Sequence, residues 1–202
     1  MKQGTEEWFA ARLGKVTASR VSDIVAKTKS GYSASRKNYM AELLCERLTG
    51  TQQDGFKSAP MQRGTDLEPK ARAVYMIETG RDVTEVGMIP HPSIENSGAS
   101  PDGLVGNDGL IEIKCPNTAT HLEFIRSEKP MDKYYLQMQW QMACTGRAWC
   151  DFVSYDDRLI NRLAYKCIRV MRDDETIKHL ENEVSKFLSE LEDLIKELEE
   201  KC

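Results

Sequence analysis

The chain has 202 residues, 40% of them hydrophobic, and a formal net charge of −4. A chain of this length can bury one sizeable core but not two comfortable enzyme domains, so residues 1–202 are expected to form a single domain. No segment approaches the ~18 apolar residues of a membrane span, and the N-terminus MKQGTEEWFAARLG lacks the apolar core of a secretory signal. These features argue against a membrane or secreted protein and predict a cytoplasmic one.

The negative charge is concentrated at the C-terminus. Residues 173–202 hold 4 Lys and Arg against 11 Asp and Glu, whereas residues 1–172 hold 24 against 21. A mildly basic body is compatible with phosphate binding but does not require it. The six cysteines include no CxxC pair and the three histidines no HxxxH or HxH spacing, so no zinc site is expected.

The first part of the chain is predicted to be helical. A short helix begins after Thr5 and ends before Gly14, and a second follows Thr17 or Ser19. Longer helices are predicted over about 36–48, ended by Thr49-Gly50, and from Met61 or Gln62 to Glu78, with the polar linker 51–60 between them. The basic loop 27–37 is the first candidate for contact with DNA, although a solvated connector is the simpler explanation of its charge.

The second part of the chain alternates between strands and helices. Strand-like runs cover 83–92, 99–116, 149–156 and 162–172, and a helix from Lys133 to Cys144 lies between the two pairs. This order predicts an α/β or α+β fold with a small central mixed β-sheet flanked by helices. From about 173 to 202 an acidic amphipathic helix carries an apolar stripe at steps of four and three: Leu180, Val184, Phe187, Leu191, Leu194 and Leu198. Docking of this helix on its own domain is favoured over an intermolecular coil.

The segment SPDGLVGNDGLIEIKCP (100–116) carries the most specific signal. Asn107-Asp108-Gly109 tolerates the positive φ of a tight turn and predicts a β-hairpin. Because side chains alternate along a strand, Glu112 and Lys114 share one face of the second strand, opposite aliphatic residues. Asp102 enters the paired strand close to the same point.

A bound cation would explain why two carboxylates and a lysine converge there, since uncompensated charge near a core is costly. Carboxylate oxygens suit Mg²⁺ or Mn²⁺, which can bind phosphate and lower the pKa of a bound water. The lysine could orient or deprotonate that water and counter the charge that develops on phosphorus. The sequence therefore predicts a metal-dependent nuclease.

The pattern PD, nine residues, then ExK resembles the PD-(D/E)xK nuclease superfamily, whose core is restriction-endonuclease-like. Further segments resemble the lambda exonuclease branch and the YqaJ-like viral recombinases: EEWFAARLGKVTAS, RGTDLEPKAR, SPDGL, IEIKCP and YYLQMQW. This resemblance implies a phage-type recombination nuclease, active in the host cytoplasm, that degrades the 5′-ended strand of linear duplex DNA processively. It also implies two Mg²⁺ ions, a homotrimeric ring and a single-strand annealing protein as partner.

Site residues follow from the resemblance position by position. It implies Glu68, Asp102, Glu112 and the backbone carbonyl of Ile113 as metal ligands, and Lys114 as the catalytic lysine, with Gln137 helping to place that lysine or the attacking water. Arg12, Ser19 and Ser100 would bind the terminal 5′ phosphate, and Tyr134 is a further DNA-binding candidate. Four basic residues are candidates for contact with the DNA backbone by their loop position alone: Lys27, Lys29, Arg36 and Lys37.

Plainer explanations exist for several of these residues. Glu68 and Arg72 could form an ordinary pair on a helix surface, Gln137 and Gln141 a solvated helix face, and Trp8 part of the core. An endonuclease or nickase would use the same metal site, and a DNA-binding protein with an inactive site is the alternative from another class. The presence of Glu68, Asp102, Glu112 and Lys114 together argues against the inactive site.

Overall fold

A computed structural model of the protein describes residues 2–52 and 58–201, apart from the side chain of Asn161. Half of the predicted linker 51–60 and Cys202 therefore lie outside the described residues. The helices are α1 (Glu6–Arg12), α2 (Val21–Val25), α3 (Ala34–Thr49), α4 (Ala59–Thr79), α5 (Thr118–Ser127), α6 (Asp132–Thr145) and α7 (Asp174–Glu199). In the described residues, no helix is long and apolar enough to cross a membrane.

Ten short strands form three sheets within the described residues. The strands are β1 (Val16–Thr17), β2 (Lys27–Thr28), β3 (Gly31–Tyr32), β4 (Val83–Thr84), β5 (Ile89–Pro90), β6 (Ser97–Ala99), β7 (Gly103–Val105), β8 (Gly109–Lys114), β9 (Trp149–Tyr155) and β10 (Tyr165–Met171). The main sheet has the order β10-β9-β8-β7-β4 and is mixed, because only β8 and β9 run parallel. This architecture confirms the predicted small mixed sheet with flanking helices.

Local signals placed most of the long helices correctly. Helices α3, α4 and α6 each end at a glycine in the left-handed region, with φ of 66°, 65° and 68° at Gly50, Gly80 and Gly146. Only glycine adopts this conformation without steric cost, so the residue determines where the helix stops. Helices α3 and α4 begin two residues earlier than predicted, at Ala34 and Ala59.

Three features differ from the sequence-based expectation. Helix α5, capped by the Asn117 side chain, was not predicted. The basic loop contains the β2–β3 hairpin. The run 83–92 divides between two sheets, since β4 pairs with β7 in the main sheet whereas β5 pairs with β6 in a three-stranded sheet. Hydrophobic alternation identifies a strand but not the sheet that it joins.

The main sheet separates two apolar clusters. On one face, Ile111 and Ile113 pack with Ala71 and Tyr75 of α4. On the other face, Leu110 and other sheet residues pack with α5 and α6. Glu112 and Lys114 alternate with the two isoleucines, so they point toward α6, as period-two alternation requires.

The C-terminal helix docks on its own chain, as expected. Helix α7 contacts α2, α3 and α6, and it buries Leu180, Val184, Phe187 and Leu191 of the predicted stripe. The last two members of the stripe, Leu194 and Leu198, are 37% and 41% exposed, so they lie outside the buried face. Ile195 still packs against the core, so the docked part of the helix extends to that residue.

Candidate active site

The β7–β8 hairpin places Asp102 against Ile113. Strand β7 pairs only with the first half of β8, and its first residue, Gly103, lies opposite Ile111. The second half of β8 therefore has no strand partner on that side. The Asp102 Oδ2 atom fills part of this gap and accepts a hydrogen bond of 2.6 Å from the Ile113 amide. The amide and carbonyl of one strand residue point to the same side of the strand, so the Ile113 carbonyl also faces Asp102.

Glu112 is fully buried, and three side chains bind its carboxylate. The amides of Gln137 and Gln141 donate hydrogen bonds of 2.6 Å to Oε1 and Oε2 respectively, and Lys114 Nζ lies 2.5 Å from Oε1. The two glutamines are one turn apart on α6, so they reach the carboxylate from the same helix face. A buried charge needs such partners, and the solvated face considered for Gln137 and Gln141 is wrong.

Lys114 is held as an ammonium ion. Burial alone would lower the pKa of Lys114, but the negative charges of Glu112 and Asp102 outweigh it and raise that pKa above its ordinary value. An ammonium at this position donates hydrogen bonds and places a positive charge beside the carboxylates. This geometry fits the electrostatic role proposed for the lysine.

Three carboxylates act on one another at this site. Burial raises the pKa of Asp102, and the charges of Glu112 and Glu68 raise it further. Burial likewise raises the pKa of Glu68, which is lowered again by Arg72 and raised by Glu112. Burial is the main cause of both shifts and neighbouring negative charge adds to it, and a divalent cation would offset both effects.

The oxygen atoms at this site suit a hard cation such as Mg²⁺, although some of them are hydrogen-bonded to neighbouring protein groups. No three Asp, Glu, His or Cys side chains in the described part of the chain form a ready-made metal cluster. Glu68 Oε1 accepts a hydrogen bond of 2.6 Å from Arg72, which is the expected i,i+4 pair. Glu68 Oε2 and Asp102 Oδ1 have no hydrogen-bond partner among the described residues. These free oxygens, with the Ile113 carbonyl, are the ligand type that Mg²⁺ prefers.

Arg12 forms a second polar site with Ser100. The Arg12 Nη1 atom donates a hydrogen bond of 3.3 Å to Ser100 Oγ, and the indole Nε1 of Trp8 donates to the same oxygen at 3.0 Å. The Arg12 Cζ atom lies 4.2 Å from the centre of the Trp8 ring, so the guanidinium stacks on the indole. Burial lowers the pKa of Arg12 and the charge of Glu46 raises it in part, while Arg12 forms no ion pair within 4.0 Å among the described residues. A desolvated cation without an acidic partner is suited to an anionic ligand. Trp8 is only half-buried, so its assignment to the core is wrong.

Ser19 connects these two sites. It lines a polar cavity of about 240 Å³ together with Arg12, and it also lines a cleft of about 520 Å³ that contains Glu68, Lys114 and Gln137. The structure therefore places Arg12, with its partner Ser100, in a cavity next to the cleft that contains the predicted metal ligands, and Ser19 lies between the two spaces.

The remaining predicted residues lie in different places. Tyr134 lines the cleft, stacks on Phe152, and has Lys114 Nζ 5.3 Å from its ring centre. Lys29 is exposed between β2 and β3, on a hairpin whose Tyr32 hydroxyl donates to Glu183 of α7. The structure thus brings Tyr134 to the site but leaves Lys29 outside it.

Two residues were misjudged from the sequence. Arg36, considered as a DNA contact, is buried and bonded to Glu190 of α7 at 2.6 Å, so its charge is used inside the protein. Gln141 was not assigned to the site, yet it binds Glu112 as closely as Gln137 does. Its spacing of four from Gln137 was the only available signal, and a surface helix shows the same spacing.

Comparison with known proteins gives a consistent result. The family model of the YqaJ-like viral recombinase domain matches residues 7–148. An alkaline exonuclease (LHK-Exo) from Laribacter hongkongensis is 64% identical, with a TM-score of 0.92 over 98% of this chain and 97% of that chain. Its complex with dAMP gives a TM-score of 0.93 at the same identity and coverage. A phage related exonuclease from Haemophilus somnus 129PT shares the fold, with a TM-score of 0.74 at 18% identity over 91% of this chain and 96% of that chain.

A search among curated proteins gave no significant match. The family model nevertheless covers well over half of the chain, and it includes Arg12, Glu68, Asp102, Glu112, Lys114 and Gln137. The chain belongs to the YqaJ-like viral recombinase family.

Proposed function

We propose that this protein is a Mg²⁺-dependent exonuclease that degrades the 5′-ended strand of linear double-stranded DNA processively. Its product would be a duplex with 3′ single-stranded overhangs for recombination by strand annealing. The observation that carries the proposal is the cleft that joins Lys114 and Glu68 to Ser19 and, through Ser19, to the cavity of Arg12. The alkaline exonuclease with 64% identity supports nuclease activity on DNA.

The site chemistry fits hydrolysis of a phosphodiester. Asp102, Glu112, Glu68 and the Ile113 carbonyl would hold Mg²⁺, two ions by family resemblance, with Mn²⁺ as a substitute. When bound, the metal would lower the pKa of a water and polarise the phosphate.

The protein's own residues would act around this centre. Lys114 donates hydrogen bonds from a fixed ammonium, which would stabilise negative charge as it develops on the phosphate. Gln137 and Gln141 keep the Glu112 carboxylate in one orientation.

The unpaired Arg12 supports recognition of a terminal 5′ phosphate. A guanidinium and the hydroxyls of Ser19 and Ser100 offer several donors to phosphate oxygens. Each cut exposes a new 5′ phosphate, and its capture at Arg12 would draw the strand forward by one nucleotide. This cycle would make digestion processive and would favour phosphorylated ends.

The assembly and the partners are proposed from family membership. They are a homotrimeric ring around the DNA and a single-strand annealing protein that receives the 3′ overhang. Lys29 would contact the DNA backbone from its exposed position on the β2–β3 hairpin.

An endonuclease or nickase is the second candidate, because the same metal site could cut within a strand. A closed circle distinguishes the two, since the exonuclease needs an end. A non-catalytic DNA-binding protein is less consistent with a site that keeps all three carboxylates and the lysine.

The decisive experiment is digestion of linear duplex DNA, labelled separately at each end, with and without a 5′ phosphate. A closed circle and a chelator are included. The expected result is metal-dependent loss of the label at the phosphorylated 5′ end while the closed circle stays intact. A cut circle would favour the endonuclease. No cutting with Mg²⁺ or Mn²⁺ would favour a DNA-binding protein without activity.

Two variants test the assignment of residues. Lys114→Ala is expected to abolish cleavage while DNA binding persists, and near-normal turnover would refute its role. Arg12→Ala is expected to lower processivity and the preference for phosphorylated ends, with Arg81→Ala, an exposed arginine outside the cleft, as the matched control. An equal loss on phosphorylated and hydroxyl ends would contradict the phosphate site.

A further inference from the structure

A separate apolar cavity opens beside Lys114. It has a volume of about 330 Å³ and lies between α5 and the start of α6. Its apolar lining consists of Ala119, Phe124, Pro130, Met131, Tyr134 and Phe152. These side chains offer no ligand for a metal and no charge for a phosphate. The cavity is therefore suited to a different, apolar or aromatic part of a ligand.

This cavity adjoins the catalytic cleft. Lys114, Pro116 and Tyr134 line both spaces. Ser19 lines both the cleft and the Arg12 cavity, whereas the Arg12 cavity and the apolar cavity share no lining residue. The three spaces therefore follow one another in the order Arg12 cavity, catalytic cleft, apolar cavity. A ligand bound along this path would meet a cation first, then the carboxylates and Lys114, and finally aromatic side chains.

The aromatic lining is rigid. Phe124 packs edge-on against Phe152 with ring centres 5.0 Å apart, and Tyr134 stacks on Phe152 at 5.6 Å. Because these rings hold one another, the cavity exists without a ligand and its occupation would need little rearrangement. Flat aromatic and apolar surfaces bind any nucleobase by stacking, which suits an enzyme that must accept every sequence.

We infer that this apolar cavity receives the nucleobase on the 3′ side of the bond that is cut. The inference rests on the proposed function and on the order of the three spaces. When the 5′ phosphate of the first nucleotide lies at Arg12 and the next phosphate lies at Glu112 and Lys114, the second nucleotide comes beside Tyr134. Its base then leaves the duplex stack and enters the apolar cavity.

The test compares duplexes that lack one base. A tetrahydrofuran residue replaces either the first or the second nucleotide of the 5′ strand, and the rate of the first cut is measured. Loss of the second base is expected to slow the wild type by at least about tenfold, the lower part of the range for base stacking, whereas loss of the first base has a smaller effect. Equal effects at the two positions would overturn the inference.

A variant ties that effect to the cavity. Ala119→Leu fills the mouth of the cavity without removing any core side chain, because Ala119 is exposed. The rate ratio between the intact and the second-position abasic duplex is expected to fall toward one in this variant. Arg126→Leu, on the same helix but outside the cavity, is the matched control and should keep the wild-type ratio; an unchanged ratio in Ala119→Leu would refute the assignment.

A binding measurement separates this inference from the proposed function. Calorimetry in the presence of chelator measures binding of a 5′-phosphorylated trinucleotide, intact or abasic at its second position. Tighter binding of the intact form that Ala119→Leu abolishes would support the cavity even if no cleavage occurred. Equal binding of the two forms by the wild type would reject it even if the exonuclease were established.

Discussion

Replacing Gln141 by Met should separate the function of the active site from the stability of the protein. The wild-type Gln141 amide donates to Glu112 Oε2 at 2.6 Å, but its own Oε1 is buried without a hydrogen-bond partner in the described part of the chain. The orientation of this amide is imposed by Glu112, since a carboxylate repels a carbonyl oxygen. Met has a similar length and removes both the donor and the unpaired acceptor.

The two effects on stability oppose each other. Loss of a hydrogen bond to a charged group costs about 1.5–3 kcal/mol, and removal of a buried unpaired acceptor regains about 1–3 kcal/mol. The two ranges largely cancel, so the free energy of unfolding should change by no more than about 2 kcal/mol. Glu112 would then be held only at Oε1, by Gln137 and Lys114, so its orientation should be less defined. Loss of such a support to a metal ligand typically costs about 10- to 100-fold in metal affinity or activity.

Gln139 provides the matched control, because it is equally buried on the same helix but points away from the site. Its amide donates to the Met171 carbonyl at 2.9 Å and accepts from the Asp173 amide at 2.8 Å. Gln139→Met leaves both backbone groups unpaired and should cost about 1–3 kcal/mol of stability, while cleavage and metal binding stay unchanged at a temperature where the variant is folded.

The assay combines urea unfolding, Mn²⁺ binding by calorimetry, and the cleavage rate against Mg²⁺ concentration for both variants. The expected pattern is weak metal binding with normal stability for Gln141→Met and the reverse for Gln139→Met. If Gln141→Met bound Mn²⁺ and cleaved DNA like the wild type, Gln141 would have no part in positioning Glu112.

Further predictions concern stability alone. Gly98→Ala should destabilise the protein by about 1–3 kcal/mol in urea unfolding, because a Cβ there would lie 2.5 Å from the Ile89 carbonyl oxygen; a neutral result would contradict the close approach of β5 and β6. Gly64→Ala, inside α4 with only ordinary contact at 3.9 Å, should stabilise it by about 0.5–1 kcal/mol, and a loss of stability would show that the helix has no space there. Hydrogen bonds from Thr176 lower the pKa of Asp173 to about 2, so its contribution is complete above the unfolded value of about 3.9 and disappears as the pH falls toward 2. The stability difference between wild type and Asp173→Asn should shrink over that window, whereas a constant difference would rule out this coupling.

Much of the site could be predicted because its signals are local. The hairpin was predicted, although its turn lies one residue earlier than expected, at Gly106–Asp108, with the positive φ of 54° at Gly106 and Gly109 already in β8. Alternation along β8 then places Glu112 and Lys114 on one face, as the structure confirms. Helix ends were predictable at Gly50 and Gly80 for the same reason: a single residue determines the backbone conformation there.

The sequence by itself therefore determined which residues form the hairpin, which faces they occupy and where the long helices stop. Only the tertiary structure decided what those faces meet. A spacing of four puts Gln137 and Gln141 on one side of a helix, but whether that side faces water or a buried carboxylate depends on the sheet packed against it. The charge of Arg36 was visible in the sequence, whereas its burial against Glu190 depends on the docking of a helix about 150 residues away in the chain. Periodicity is a property of the local backbone, while the partner of a charged group depends on long-range packing that a single sequence does not specify.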